Sequence, residues 1–305
     1  MSNLSIGITG NDRLLAGDME QRKVFAGQIE QSSVDHIFIA DHVSFHTGMG
    51  MDAMVNAATL TTMMPTMTVM LGVYLLALRH PVPVARQLSS LSISAPGRIV
   101  FGVGIGGEDR REMEICGVDP SRRGVHTNHS LQALRGLMTG KPTSHDCDFF
   151  KFTDAVIKPA PEPEIPILIG GRSEAAIQRT ANYGDGWLSV WVSPDRFGSA
   201  VQQITDLAGE REVGWSHGLQ LWCGIGENAR ESVAKGMEGF YRVPFEKFER
   251  YTPYGTPVEI AEFLSAYVTR GARILNIEPR GGSIEEAIDA VSEVSDILHR
   301  EFPDF

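Results

Sequence analysis

The sequence predicts an α/β protein of the (β/α)8 class, a TIM barrel with insertion segments at its C-terminal mouth. Two observations support this. Eight short apolar runs rich in strand-forming residues alternate one for one with eight amphipathic stretches, and polar or glycine-rich clusters follow most of the runs. Strict alternation of strand and helix calls for parallel strands joined by crossover helices, and eight such units suit a barrel better than an open sheet.

The elements follow in order. LSIGITG at 4–10 reads as the first strand and precedes a helical pattern over 19–33. HIFIADHV at 36–43 leads to a helix over 53–63. MTVMLGVYLL at 67–76 gives way at Arg79-His80-Pro81 to a helix over 83–94, opened by Pro81 and Pro83, whose φ already suits a first helical turn. RIVFGVGIGG at 98–107 pairs with a helix over 126–137, and IPILIGG at 165–171 with one over 174–183 that Ser173 can cap. GWLSVWV at 186–192 precedes a helix over 194–209 that stops at Gly209. GLQLWCGIG at 218–226 belongs with a helix over 257–269, with Gly271 just beyond, and RILNIEP at 273–279 with one over 284–299 that Ser283 can cap. Each helix repeats apolar residues at three- and four-residue spacing. Two segments, 147–164 and 228–256, exceed ordinary loop length and are expected to be insertions or lids of a single domain over 1–305.

Composition narrows the function. With 27 basic and 38 acidic residues the formal charge is −11, a field that repels nucleic-acid phosphates and anionic lipid. An anionic ligand therefore needs a local cationic or N–H-lined site. The three cysteines, Cys116, Cys147 and Cys223, show neither a CxxC pair nor metal-type spacing, which fits a reducing cytoplasm. No basic start with an apolar core follows the N-terminus, and no run of about 18 apolar residues occurs, so neither secretion nor membrane insertion is expected.

Barrels of this class hold their active sites where strands end, which selects the residues to weigh. GVGIGG contains a literal GxGxxG at Gly102, Gly104 and Gly107. It is the fourth βα step, with no acidic strand end within about 20 residues, so it is no dinucleotide fingerprint. Its glycines instead let a flat ring or neighbouring backbone come close. IGGRS brings clustered N–H donors and Arg172 to a helix start, which fits either a phosphate site or a tight turn. PRGGS at 279–283 repeats the pattern after the last strand. His42 fits a general acid or base as well as a strand-end histidine held by a carbonyl. His80 has the same two readings and can also cap the helix that Pro81 opens. Asp41 reads as the partner that orients a neighbour, while Glu108 and Asp109 are explained by a helix start that favours negative charge. Trp187 and Trp191 share one side of a strand, as core or as the wall of a cofactor site.

With these residues placed, the sequence resembles the superfamily of bacterial luciferase-like flavin monooxygenases and deazaflavin-dependent oxidoreductases. The resemblance lies in ADH at 40–42, LGVYLLALRHPVPVARQLSSL at 71–91, GRIVFGVGIGGEDRREMEICGVDPSRRG at 97–124, IPILIGGRSEAAIQRTANYGDGW at 165–187 and GTPVEIAEFLSAYVTRGARILNIEP at 255–279. It implies a barrel, usually a homodimer, that holds its cofactor at the C-terminal mouth. The ring would lie against Gly72 and Val73, joined by a non-proline cis peptide. Gly104, Gly106 and Gly107 would pass beside it, and Gly170, Gly171, Arg172 and Ser173 would bind the phosphate. His42 matches the strand-two histidine that contacts the ring or serves in acid–base chemistry. A catalytic Glu of one sugar-phosphate branch aligns only loosely, because Gly107 moves Glu108 one place along. Arg79 either braces the mouth of the barrel or forms a structural ion pair.

The resulting expectation is a cytoplasmic oxidoreductase that moves a hydride between coenzyme F420, a deazaflavin, and a small organic substrate. The second reading is an FMN-dependent monooxygenase supplied with reduced flavin by a partner reductase, and the third a barrel that binds cofactor without turnover. For the F420 reading, Arg172, Arg196 and Arg280 are candidates to line a groove for the coenzyme's anionic tail, the alternative being loop arginines that are simply solvated. No metal is expected.

Overall fold

The computed structural model describes residues 4–10 and 18–304. The chain is a (β/α)8 barrel, and all eight predicted strands and all eight predicted helices are present. In chain order the described elements begin with β1 (Ser5–Thr9), α1 (Met19–Gln31), β2 (His36–Ile39), the hairpin β3 (His42–Phe45) and β4 (Met49–Met51), α2 (Ala53–Met63) and β5 (Thr68–Leu75). They continue with α3 (Pro81–Ser94), β6 (Ile99–Gly104), α4 (Arg110–Ile115), α5 (Arg123–Leu137), the hairpin β7 (Thr143–Asp146) and β8 (Lys151–Ala155), β9 (Ile167–Gly170) and α6 (Glu174–Tyr183). Then come β10 (Gly186–Ser189), α7 (Pro194–Ala208), β11 (Gly218–Ile225), α8 (Ala229–Tyr241), β12 (Tyr254–Gly255), α9 (Pro257–Val268), β13 (Ile274–Arg280) and α10 (Ile284–Glu301). The short helix α4, helix α8 and the two hairpins were not expected from the sequence. No described helix is long and apolar enough to cross a membrane.

The chain divides into two compact units. The first comprises 1–38, 171–178 and 186–305. Here β1 pairs in parallel with β2 and β13, β13 with β11, and β11 with β10 and β12. A polar layer runs through these strands. Fully buried His36 shares hydrogen bonds with Ser5 Oγ at 2.8 Å through Nδ1 and with Asn276 Oδ1 at 2.7 Å through Nε2. Asn276 in turn donates to Gln220 Oε1 at 3.3 Å. Gly7 sits opposite both His36 and Asn276 in the ladder, and a Cβ there would lie 2.1 Å from His36 Nε2, so the imidazole occupies the space a side chain would need. Outside the strands, α10 starts with a capping box between Ser283 and Glu286 and buries Ala287, Ile288, Val291, Val294 and Leu298 on one face. Residues 228–256 contain α8 and an apolar cluster of their own, Val233, Met237, Phe245 and Phe248 around Trp222.

The second unit comprises 39–170 and 179–185. It contains the parallel ladder β5–β6–β9, with a register shift in β5 between Leu71 and Tyr74. Helix α3 starts as the sequence predicts, with Pro81 in its first turn, while the His80 side chain accepts from Val82 N–H at 3.3 Å. His80 is therefore a cap. Helix α5 is tied to 183–185 by Arg135, which donates to the Tyr183 carbonyl and to Asp185 at 2.8 Å. The excursion predicted over 147–164 starts earlier, because β8 within it pairs antiparallel with β7.

Candidate functional site

The predicted strand 36–43 breaks at Ala40-Asp41 because Asp41 turns into the protein. Its buried carboxylate accepts from Leu75 N–H at 3.0 Å and Ala53 N–H at 3.2 Å, and both terminal nitrogens of Arg79 donate to it. Burial pushes the Asp41 carboxyl up, and the Arg79 guanidinium opposes this. Arg79 also covers the Tyr74 ring, its guanidinium carbon 4.6 Å from the centroid. Arg79-His80-Pro81 is thus explained within the second unit as an ion pair, a cap and a helix start.

Releasing the chain at Asp41 forms the β3–β4 hairpin, and helix α4 fastens it. Glu112, almost wholly buried, accepts from Val43 N–H at 2.7 Å and Ser44 N–H at 3.1 Å and faces His42 Nδ1 at 3.0 Å. Burial by itself would raise the Glu112 carboxyl; the hydrogen bond and charge of His42 and the two N–H groups outweigh it and hold the carboxyl below its usual range. An ionised carboxylate can only accept, so His42 carries its proton on Nδ1 when neutral, and its exchangeable lone pair is on Nε2. Asp109 caps α4 and accepts from His46 N–H at 2.7 Å. His46 Nε2 is buried with no hydrogen-bond partner among the described residues.

The Gly72–Val73 peptide is cis, as the resemblance implies. The glycines of the neighbouring strands are explained by the Val73 side chain. A Cβ at Gly104 would lie 2.4 Å from one Val73 methyl, and one at Gly170 would lie 2.8 Å from the other. At Gly102 a Cβ would meet the Leu71 carbonyl oxygen at 2.4 Å. Close approach of protein neighbours, one of the two alternatives left open for the glycines of GVGIGG, is observed at Gly102 and Gly104. Gly106 and Gly107 have φ of +61° and +124°, and Cβ atoms there would meet Met113 and Arg123. Gly104→Ala is accordingly expected to destabilise the protein by about 1–3 kcal/mol, the cost of overpacking a filled site. Chemical denaturation would measure this, and an unchanged midpoint would refute it.

In the first unit, Gly171 has φ of +120°, its N–H donates to the Leu188 carbonyl at 3.2 Å, and its carbonyl accepts from Trp187 Nε1 at 2.6 Å. Its own hydrogen-bonding groups hold the turn. Arg172 and Ser173 are exposed at the start of α6, with the Arg172 guanidinium carbon 5.4 Å from the Trp191 ring centroid. Trp187 is fully buried in the core, whereas Trp191 lies beyond the end of β10 with φ of +48° and packs on Tyr241 and Phe248 at ring separations of 5.0 and 4.8 Å. The two indoles therefore do not form one wall. Arg196 pairs with Glu174, and Arg280 pairs with Glu278 at 2.8 Å over the Trp222 ring. Among the described residues, Arg172 alone of the three arginines expected along a tail groove has no carboxylate partner.

A family model described as luciferase-like monooxygenase matches residues 9–256. The chain belongs to that family. Luciferase-like proteins are oxidoreductases, and the relatives of this chain divide between two cofactors. It is 28% identical over 199 residues to an uncharacterised protein of Mycobacterium tuberculosis, covering 63% of this chain and 68% of that one. It is 28% identical over 169 residues to an F420-dependent glucose-6-phosphate dehydrogenase of Beutenbergia cavernae, covering 52% of this chain and 49% of that enzyme. Among solved structures, an F420-dependent secondary alcohol dehydrogenase bound to an F420–acetone adduct superposes with a TM-score of 0.83 at 17% identity, over 98% of this chain and 99% of that one. The FMN-bound oxygenating constituent of 3,6-diketocamphane monooxygenase from a Pseudomonas putida plasmid superposes with a TM-score of 0.73 at 13% identity, over 99% of both.

The reading of the sequence missed two residues that the structure brings to the β3–β4 hairpin, Glu112 and His46. Glu112 is the first acidic residue after the Glu108-Asp109 pair that was weighed, and the helix that aims it is only six residues long. The available signal was its spacing of three from Asp109, which puts both carboxylates on one face of a helical turn. Glu108 itself is exposed.

Proposed function

We propose that this protein moves a hydride between coenzyme F420 and a small organic substrate, with His42 as the residue that exchanges a proton. The observation that supports this most is the His42–Glu112 pair beside a strand-two terminus, in a chain whose named relatives include an F420-dependent dehydrogenase. The residues present fit such a cofactor in two respects. Buried His46 Nε2 lacks a partner among the described residues, and Arg172 stands unpaired at a helix start whose Glu174 is already neutralised by Arg196.

The deazaflavin supplies a ring carbon that accepts or donates two electrons as hydride and reacts poorly with oxygen. The protein's own residues do the rest. Glu112 fixes the His42 tautomer and ring orientation through Nδ1, so Nε2 gives or takes the substrate proton that balances the hydride. In the second unit Gly72 and Val73 would back a ring, and in the first Arg172 with Ser173 and the N–H groups of the first turn of α6 would hold a phosphate. Arg172→Ala is expected to weaken cofactor binding by about 1–3 kcal/mol, the range for a lost charge-assisted hydrogen bond, without lowering stability. Unchanged affinity would move the phosphate away from this turn.

One observation favours the second reading, an FMN-dependent monooxygenase served by a partner reductase. Arg196 and Arg280 are committed to carboxylates, which leaves Arg172 to meet the anionic tail that F420 has and FMN lacks. Titrating the protein with F420 and with FMN at low and high salt, following cofactor fluorescence, tests both readings. The F420 reading expects tighter F420 binding with an advantage that shrinks as salt screens the tail over about 8–10 Å. Preference for FMN, with oxygen consumed when reduced flavin is supplied, would replace it with the monooxygenase.

A further inference from the structure

Helix α5 and the β7–β8 hairpin bring together a group of side chains unrelated to the residues above. His129 on α5, His145 on β7 and Cys147 in the hairpin turn each present a ligand atom, and these atoms all lie within 4.8 Å of one another. His129 Nδ1 and His145 Nε2 are 3.1 Å apart. All three side chains are half-buried. We propose that His129, His145 and Cys147 form a binding site for a zinc-class divalent cation, which fastens the hairpin to α5.

The geometry suits such an ion. With zinc–nitrogen distances of about 2.0–2.1 Å and a zinc–sulfur distance of about 2.3 Å, tetrahedral ligand atoms stand roughly 3.3–3.7 Å apart. The histidine pair is already close to that separation, and the sulfur needs only a small side-chain adjustment. Two imidazoles and a thiol are borderline-to-soft donors, which select zinc, cobalt or copper over magnesium or calcium. Three protein donors leave the fourth position to water. Binding forms two metal–nitrogen bonds and one metal–sulfur bond; it breaks the His129–His145 hydrogen bond, the proton between the two ligand nitrogens being replaced through solvent by one on the donor ring's other nitrogen, and the Cys147 thiol gives up its proton to solvent, breaking its contact with the Phe150 carbonyl, now 3.4 Å long.

The surroundings hold the donors in place. His126, one turn before His129, stacks on Phe149 with ring centroids 4.4 Å apart and planes 4° from parallel. The Arg122 guanidinium also lies over the Phe149 ring, its carbon 4.6 Å from the centroid, and pairs with Asp148 at 2.6 Å. His145 packs on Phe150 at 5.2 Å. The hairpin tip is therefore seated on α5 by contacts that do not use the three ligand atoms, and an ion need not organise the site from a disordered state. The cysteine spacing shows no metal pattern in the sequence because the ligands come from two elements, 16 residues apart for the histidine pair.

Zinc titrated into the full chain in competition with a chromophoric chelator, and cobalt followed by its visible spectrum, would test this. One equivalent of zinc per chain is expected, with a tetrahedral cobalt spectrum that includes a thiolate charge-transfer band. Cys147→Ser should abolish that band and weaken zinc binding by at least roughly tenfold, and His145→Gln should weaken it comparably while keeping the band. Zinc should also slow amide exchange across 143–155 in the unaltered protein. Absence of stoichiometric uptake, or affinities that do not differ between the unaltered protein, Cys147→Ser and His145→Gln, would overturn the proposal.

Discussion

His42→Ala is expected to lower turnover by roughly 10²–10⁴-fold, the range for losing a general acid or base, with little change in melting temperature. Stability should hold because the imidazole is only half-buried and Glu112 keeps its two backbone N–H donors when the ring is removed. Glu112→Gln separates positioning from chemistry. The amide keeps the size of the carboxylate but loses its charge and can turn a donor toward Nδ1, so His42 would no longer be held in one tautomer. We expect kcat to fall by about tenfold or more with KM little altered, and Glu112→Asp to recover part of the loss. Steady-state kinetics with reduced and oxidised cofactor would measure both. A His42→Ala protein with full activity but a much lower melting temperature would make this histidine a structural one.

Most of the architecture was legible because barrel strands and helices advertise themselves by period. Each of the eight βα units pairs an apolar run with residues repeating at three and four, and caps such as Ser283 or Pro81 sit where the chain changes direction. Legibility failed where one side chain decides the path. Nothing in the alternation of HIFIADHV reveals that Asp41 will turn inward to collect Arg79 and two N–H groups, yet that inward turn ends β2 and creates the β3–β4 hairpin. The same holds for the site. His42 was picked out by its place at a strand end and the Gly72–Val73 peptide through resemblance, whereas Glu112, 70 residues from His42, depends on a six-residue helix with too few turns to show a period. The glycines of GVGIGG illustrate a third case: their presence was readable, but what fills the space beside Gly104, the Val73 side chain, is a property of the folded ladder.

Acidification from pH 7.5 to 5 is expected to destabilise the protein by several kcal/mol, owing to two buried histidines of the first unit. Burial, opposed by the hydrogen bond to Asn276, lowers His36 to about 4. Burial, aided by the charge of Arg273, lowers His217 to about 4. His36 has no anionic partner to offset its burial, being hydrogen-bonded to Ser5 Oγ and Asn276 Oδ1. At His217 geometry adds to burial, because Nδ1 accepts from Trp187 N–H at 3.2 Å, where an added proton would face another donor. In the unfolded chain each histidine titrates near 6.5, so below that pH the unfolded state binds more protons than the folded one and stability falls as pH falls. The loss begins just above pH 6.5 and levels off near pH 4, where the folded state also takes up protons. A difference of about 2.5 pH units corresponds to about 3 kcal/mol for each ring when complete, and to about 2 kcal/mol each at pH 5. Paired carboxylates such as Glu112, held below the usual range, add their own losses only at lower pH. Urea denaturation at a series of pH values would follow this directly. His217→Gln, although less stable at neutral pH, should lose about 2 kcal/mol less than the unaltered protein between pH 7.5 and 5. Equal stability of the unaltered protein at those two pH values would mean that neither ring is held neutral by the fold.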